Sequence, residues 1–438
     1  MRRERLKRLE RAILVNQDAL AQALDEDFGG RSRAEALFSE ILVALNSIRH
    51  ARRHVARWMA CRRRDLGWQL QPARAYVLPQ PLGIVGIMAP WNYPVFLTTA
   101  PLAGALAAGN RAMIKPSEHA PRTAALLADI FHQTFPRDLV AVVNGDAAAA
   151  SAFASLPFDH LLFTGSAGVG REVMRAASEN LTPVTLELGG KSPAIVAPDA
   201  DLRRAAEDIA YGKLLNGGQT CIAPDYALVP AEQLRAFVHA MLEAIERYYP
   251  AATANPDYTA IINQRHYDRL RACLDEARAA GAEVVEIGPS SSAGRKIAPA
   301  LIIDPPDEIA VMREEIFGPL LPVKRYRDIN DAIEYVNGRP RPLALYLFAQ
   351  DQKLIDRVLE RTVSGGVCVN DTLLHVAAED LPFGGVGPSG IGHYHGQAGF
   401  DAFSKLKPVF RRRWPGLSRL LRPPYGRVHE WLRRVLIR

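Results

Sequence analysis

The chain has 438 residues, 48% of them hydrophobic and 23% charged, with a formal net charge of +7. That length exceeds one ordinary core, so two domains with a small appended element are expected of a soluble globular protein. Cys61, Cys221, Cys273 and Cys368 stand far apart with no C-x-x-C pair, which argues against a disulfide framework or a zinc ribbon and fits a reducing cytosol.

In chain order, the opening residues 1–11 are mostly charged and carry no secretory signal. Residues 4–60 read as helical, with Leu6, Leu9, Ile13 and Leu14, then Leu37, Ile41, Leu42, Leu45 and Ile48, at three-and-four spacing. No charge occurs between Arg74 and Arg111, but Pro79, Pro81, Pro90, Pro94 and Pro101 argue against a spanning helix. A strand pair is expected over 76–90. From there GIVGIMAP, RAMIKPS, LVAVVNG, HLLFTGS and VTLELGG read as strands with helices among them, so a parallel sheet covered on both faces is expected, as in dinucleotide-binding domains. A second alternating series follows SPAIVAP. The glycine-rich run PFGGVGPSGIGHYHGQAGF is expected to be irregular.

Basic residues concentrate at the two ends, without a zinc-finger, RNP or helix-turn-helix signature, so no nucleic-acid partner is expected. At the C-terminal end they alternate with Trp414, Leu417, Leu420, Leu421, Trp431, Leu432, Val435, Leu436 and Ile437. Such a tail either lies on an anionic membrane surface or packs, solvated, on its own protein or a partner subunit.

Several short motifs carry chemistry, each with a plainer alternative. In LLNGGQTCIAPD, glycines and a proline frame Cys221, which suits a thiol aimed into a cleft; a lone cysteine is also a small core hydrophobe. FTGSAGVGREV sets Gly165, Gly168 and Gly170 between a strand and a helix, for a pyrophosphate or for steric reasons alone. Lys115 and Glu118 of KPSE follow a strand, where they suit ribose hydroxyls or a surface ion pair. Glu187 ends an apolar strand before Gly189 and Gly190, as a general base of raised pKa or a carboxylate satisfying loop amides. Asn92 of APWNYP is an oxyanion donor or a turn residue, and Glu315 with Phe317 offers a ribose ligand and a ring face. His393 and His395 lack partners at metal spacing and are read as structural or surface histidines, with no metal site expected.

The order in which Asn92, Lys115, the Gly165 turn, Glu187, Cys221, Glu315 and the PFGG loop follow one another resembles the aldehyde dehydrogenase superfamily, from about residue 10 to about residue 410. The pairing of GQTC with LELGGKSP is its most specific part. VNDTLLHVAAEDLPFGGVGPSGIGHYHG, GQTCIAPDY and RPPYGR look most like the coniferyl aldehyde dehydrogenase branch, near the class-three enzymes.

The resemblance implies an α/β fold of two doubly wound parallel-sheet domains plus a small oligomerisation element. Residues 1–65 and 82–188 would form the NAD-binding domain, 66–81 and 396–412 the oligomerisation strands, 189–395 the catalytic domain, and 413–438 the basic amphipathic tail. It implies NAD(P)-dependent oxidation of an aldehyde to a carboxylic acid through a Cys221 thiohemiacetal and thioester, with Cys221, Glu187 and Asn92 as the catalytic set. Trp91, Lys115, Glu118, Gly165, Ser166, Gly170, Glu315 and Phe317 would contact the cofactor, and Asn370, His375 and Phe383 the substrate. Glu118 favours NAD, although class-three relatives also use NADP.

An aromatic aldehyde such as coniferaldehyde is the expected substrate, with medium- or long-chain fatty aldehydes near membranes as the alternative. Competing readings are thioester transfer to coenzyme A and a non-catalytic scaffold or membrane-surface protein. A homodimer is expected, cytoplasmic with peripheral membrane contact through the tail. Against that branch the chain begins late, which bears on cofactor-domain packing and the dimer and leaves the catalytic set intact.

Overall fold

The structure is a computed structural model that describes residues 1–412 and 422–436. Its first sixty residues form α1 (Arg2–Val15), α2 (Gln17–Phe28), α3 (Arg33–Ala36) and α4 (Leu42–Trp58), with a π-helical turn over Leu37–Ile41. Leu6, Leu9, Ile13, Ile41, Leu45 and Ile48 are buried as their spacing predicts, whereas Leu14 and Leu42 stay partly in the open.

Strands and helices then alternate: β1 (Arg62–Arg64), β2 (Ala73–Pro81), β3 (Ile84–Met88), α5 (Phe96–Ala108), β4 (Arg111–Lys115), α6 (Pro121–Thr134), β5 (Val140–Val142), α7 (Ala147–Ala154), β6 (His160–Thr164), α8 (Ala167–Ser178) and β7 (Val184–Glu187). The series continues with β8 (Pro193–Val196), α9 (Leu202–Leu214), β9 (Tyr226–Pro230), α10 (Leu234–Tyr248), α11 (Gln264–Ala279), β10 (Glu283–Glu286), β11 (Ala300–Ile303), α12 (Ala310–Arg313) and β12 (Leu320–Tyr326). It closes with α13 (Ile329–Asn337), β13 (Ala344–Phe348), α14 (Gln352–Arg361), β14 (Gly366–Val369), β15 (Gly390–Ile391), α15 (Gly396–Ala402), β16 (Ser404–Arg412) and α16 (Arg427–Leu436).

Two large sheets result. One runs β15-β7-β6-β3-β4-β5 and the other β10-β11-β12-β9-β8-β13-β14, and each is parallel except for one antiparallel edge strand, β15 or β10. Every residue of β6 and β13 is buried, as continuous apolar strands covered on both faces require. The third sheet, β1-β2-β16, is small and antiparallel, with β16 paired along β2 from Ser404 opposite Pro81 to Arg412 opposite Ala73.

Four expectations need correction. The strands over 76–90 do not pair with each other: β2 joins β1 and β16, while β3 lies between β4 and β6. Side chains anchor the start of β3 to the parallel sheet, since Asn110 accepts from the Gly83 N–H at 2.9 Å and Asp159 from the Ile84 N–H at 2.7 Å. Residues 62–64, expected in the first domain, belong to the small sheet. Residues 390–391, expected in the second, pair antiparallel with Leu186 and Glu187 and cover the edge of β7. Finally, the glycine-rich run is not all irregular, because it holds β15 and α15.

No helix among the described residues is long and apolar enough to cross a membrane. Trp414, Leu417, Leu420, Leu421 and Ile437 of the basic tail lie outside the described residues. Within α16, Trp431 is exposed and Leu432 buried.

Candidate active site

The chain leaves α9 through three consecutive left-handed residues, Asn216 (φ 56), Gly217 (φ 60) and Gly218 (φ 78), just before Cys221. Glycine is required at the last of these on two counts, its positive φ and a carbonyl of Gly318 that would sit 2.3 Å from any added Cβ. Gln219 fixes the turn by donating to the Asn216 and Ala260 carbonyls at 2.9 and 3.0 Å while accepting from the Ile262 N–H at 2.9 Å.

Asn92 is tied to the same turn. Its Nδ2 donates to the Gln219 carbonyl at 3.1 Å, and its own carbonyl accepts from Asn216 Nδ2 at 3.0 Å. A carboxamide carries two N–H donors, so one remains for a ligand. Arg31 reaches the Asn92 carbonyl at 3.3 Å and pairs with Glu40 at 2.8 Å. Glu40 also accepts from the N–H groups of Val95 and Phe96, and Glu35 accepts from Asn216 N–H and the Thr259 hydroxyl. The N-terminal helices thus brace the cysteine turn.

Cys221 is a free, partly exposed thiol that opens on a cavity of about 590 Å³. The walls are mainly apolar and aromatic, with Phe38, Tyr93, Phe96, Tyr249, Phe383 and Tyr394 among them. Burial pushes the thiol pKa up, and the carboxyls of Glu315 and Glu187 push it further; the backbone N–H groups of Cys221 and Ile222 oppose them.

Glu187, the last residue of β7, is buried with neither carboxyl oxygen bonded, and burial alone raises its pKa well above the ordinary value. Glu315 sits against Gly189, where an added Cβ would lie 2.1 Å from its Oε2. Its Oε1 is buried without a partner, and its pKa is raised to about 8 by burial and by Asp225, against the Gly190 N–H, Lys191 and Arg269.

The candidate cofactor residues occupy loops at the carboxyl ends of the six-stranded sheet, except Glu315 and Phe317, which lie in the loop leading into β12 of the seven-stranded sheet. Lys115, buried at the end of β4, donates to the Pro116 carbonyl at 2.8 Å and lies 3.5 Å from exposed Glu118. Ser166 caps α8 by accepting from the Val169 N–H. The expected glycines divide: Gly165 and Gly170 make room for Phe163 and Leu188, while Gly168 has nothing within 4 Å and leaves the start of the helix open. Trp91 meets Phe317 edge to face at 5.3 Å between centroids, and Phe317 itself is left-handed at φ 50. A buried ammonium beside a carboxylate, an open helix start and an unpartnered carboxyl oxygen at Glu315 suit a dinucleotide.

Of the three substrate-side expectations, only Phe383 lines the cavity. Asn370 is exposed and clamps two strand ends, accepting from the Ala349 N–H at 2.9 Å and donating to its carbonyl at 2.8 Å. His375 packs behind the wall, with its ring 6.0 Å from both Phe383 and Tyr346, and burial lowers its pKa to about 4. His395 is buried and stacks on Phe383 at 5.2 Å, whereas His393 is exposed. Between them Tyr394 lines the cavity with a buried, unpartnered hydroxyl. No three metal-binding side chains gather among the described residues.

Sequence reading did not single out Arg31, Glu35, Glu40, Lys213 or Tyr394. The signal available for the acids and Lys213 was a charge among buried positions of a helical pattern; Tyr394 had none beyond its place in HYH.

Compared with known proteins, residues 1–409 match the model of the aldehyde dehydrogenase family. The chain is 54% identical over 422 residues to a probable coniferyl aldehyde dehydrogenase of Pseudomonas aeruginosa, covering 96% of this chain and 88% of that one. It is 49% identical over 442 residues to the coniferyl aldehyde dehydrogenase of a Pseudomonas species, covering 99% and 92%. Among solved structures, the substrate-bound state of Staphylococcus aureus AldH superposes with a TM-score of 0.94 at 40% identity, covering 99% and 94%.

Proposed function

Because the chain belongs to the aldehyde dehydrogenase family, and is an NAD(P)-dependent oxidoreductase acting on aldehydes, we propose that Cys221 is its nucleophile and an aromatic enal such as coniferaldehyde its substrate. The observation that carries this reading is a partly exposed thiol opening on an aromatic-walled cavity, under the electrostatic influence of the unpartnered carboxyl of Glu187. The substrate choice is further supported by the names of the most similar relatives.

In this mechanism the Cys221 thiol gives its proton to solvent water as Sγ adds to the carbonyl carbon, and the spare N–H of Asn92 with the Cys221 backbone N–H holds the oxyanion of the thiohemiacetal. Bound nicotinamide supplies the hydride acceptor. The thioester left on Sγ is hydrolysed by a water that Glu187 deprotonates, its raised pKa bringing it closer to the acid it must accept a proton from.

Lys115 and Glu118 would hold the adenosine ribose, the start of α8 at Gly165, Ser166 and Gly170 the pyrophosphate, and Glu315 and Phe317, backed by Trp91, the nicotinamide ribose and ring. Glu118 favours NAD over NADP, because a carboxylate there repels a 2′-phosphate. The six-stranded sheet serves as the cofactor domain and the seven-stranded sheet as the catalytic domain. The exposed nine-residue strand β16 supports a homodimer joined through the small sheet, since such an edge needs covering. Arg427, Arg433 and Arg434 beside exposed Trp431 support contact of a cytoplasmic protein with an anionic membrane surface.

The test is reduced-nicotinamide formation with coniferaldehyde, benzaldehyde or decanal, with Cys221→Ala alongside. Turnover that is fastest with coniferaldehyde and absent in Cys221→Ala is expected; decanal as the fastest substrate would overturn the aromatic reading. Acid as the product without coenzyme A separates hydrolysis from acyl transfer.

A further inference from the structure

The cavity on which Cys221 opens continues outward to a rim of apolar side chains that water can reach. Phe38 of the π-helical turn is 68% exposed, Leu374 55%, Tyr211 of α9 47%, Leu42 of α4 41% and Tyr248 of α10 37%, and all five line the same cavity as buried Tyr93, Phe96 and Phe383. Single exposed apolar residues are ordinary on a protein surface. Here separate segments of the chain bring several of them to one opening, an arrangement that burying the core does not require.

Part of this rim is held in place. Thr372 donates its hydroxyl to the Asp208 carbonyl of α9 at 2.8 Å, so the turn bearing Leu374 is fastened to the helix bearing Tyr211. Gly212 leaves room for that contact, since an added Cβ would lie 2.4 Å from the Thr372 Oγ1. Leu373 adopts a left-handed φ of 63, a conformation costly for a leucine and retained only where the surroundings enforce it. On the other side, the Arg247 guanidinium lies 5.0 Å from the centre of the Tyr248 ring.

Size gives the second observation. A cavity of about 590 Å³ is within the range, about 300–1,000 Å³, that encloses a drug-sized ligand, and a single phenylpropanoid falls well short of filling it. With its aldehyde carbon at Sγ, a lone enal meets the buried inner walls and leaves the rim uncovered.

We propose that the rim is a distal subsite for a second aromatic ring, which makes the substrate class a phenylpropanoid enal extended at its far end by an aryl group. This rests on the Cys221 and aromatic-enal reading given above. Phe38, Tyr211 and Tyr248 favour an aryl group over an alkyl chain, because ring-on-ring contact adds to burial and a ring loses less freedom on binding than a chain of methylenes.

The experiment compares kcat/KM for coniferaldehyde, its 4-O-benzyl ether and its 4-O-heptyl ether, with the parent protein and with Phe38→Ser and Leu374→Ser. Both side chains are exposed, so neither substitution removes core packing. The parent is expected to prefer the benzyl ether to coniferaldehyde by about tenfold, mainly through KM, as burial of one more ring implies. Each variant should reduce that ratio by about threefold or more. A structural defect would lower both rates together and leave the ratio where it was, and that result overturns the proposal. So does a heptyl ether that outruns the benzyl ether, which would assign the rim to an alkyl tail. A variant that dissociates on a sizing column with its ratio intact would make the rim a contact between copies of the chain, and also overturns it. Coniferaldehyde turned over well with no gain from the second ring rejects the subsite alone, whereas decanal faster than every aryl aldehyde rejects the aromatic reading beneath it.

Discussion

Two pairs of carboxyl groups meet the site, and they differ in how they are satisfied. Glu35 and Glu40, from the N-terminal helices, have every carboxyl oxygen bonded, to main-chain N–H groups, the Thr259 hydroxyl or Arg31. Glu187 has neither oxygen bonded, and Glu315 has Oε1 buried without a partner. All four are raised in pKa by burial, but only the first pair is compensated by bonds and an ion pair sufficient to make it structural. Buried polar groups left unsatisfied are expensive, so their retention marks groups that bond to something that comes and goes.

This contrast can be broken in order of expected effect. Glu187→Gln should lower steady-state turnover by about 10²–10⁴-fold, the range for a lost general base, while leaving the melting temperature equal or higher. A first burst of reduced nicotinamide should survive in stopped flow, because the base acts mainly on thioester hydrolysis. Unchanged turnover would remove Glu187 from the mechanism. Glu40→Ala should do the reverse, costing about 3 kcal/mol of stability in chemical denaturation by removing the shorter of the two carboxylate partners of buried Arg31 and leaving it only Glu35 at 3.5 Å; a loss below 1 kcal/mol would show that the pair is not the brace it looks.

Asn92 belongs to both sides, with one amide N–H in the scaffold and one spare. Asn92→Ala should reduce kcat by about 10²–10³-fold, the cost of one oxyanion donor, together with a modest fall in stability. A stability loss with kcat intact would place the residue wholly in the scaffold.

The remaining effect is a pH dependence. Glu315 titrates at about 8 in the folded protein against an ordinary value of 4.5, so the native state keeps a proton that the unfolded chain releases between those values. The group therefore costs nothing below pH 4.5 and lowers stability progressively as pH rises toward 8. Glu315→Gln should melt at nearly the parental temperature at pH 4.5 and above it at pH 8, with a difference of at most roughly 1.4 kcal/mol per pH unit. A parallel offset at all pH values would deny that Glu315 is the titrating group.

Much of the arrangement was legible in the chain. Alternating apolar runs and helical periods anticipated the two parallel sheets, since side-chain period and continuous burial are local properties of sequence. The glycines before Cys221 pointed to a close backbone approach, and Gly318 supplies the atom that makes it necessary. Glu187 at the end of a strand before two glycines was expected to have a raised pKa, and burial without a partner provides the cause.

The errors have a common origin in contacts between distant segments. β2 and β3 are neighbours in the chain, yet β2 pairs with β16 and β3 with β4 and β6, each a later segment of it. Asn370 looks like a loop residue free for substrate, but it is consumed by the main chain of Ala349 on the adjacent strand end. Sequence by itself determined the type and order of the elements and the identity of the reactive groups, because those depend on local periodicity and functional-group chemistry. Only tertiary structure decided which buried charges are satisfied: Glu40 finds Arg31 and the N–H groups of Val95 and Phe96, whereas Glu187 and Lys213 find no hydrogen-bond partner among the described residues. Satisfaction of a buried polar group is a property of its surroundings in space, and the chain assembles those surroundings from segments up to hundreds of residues apart.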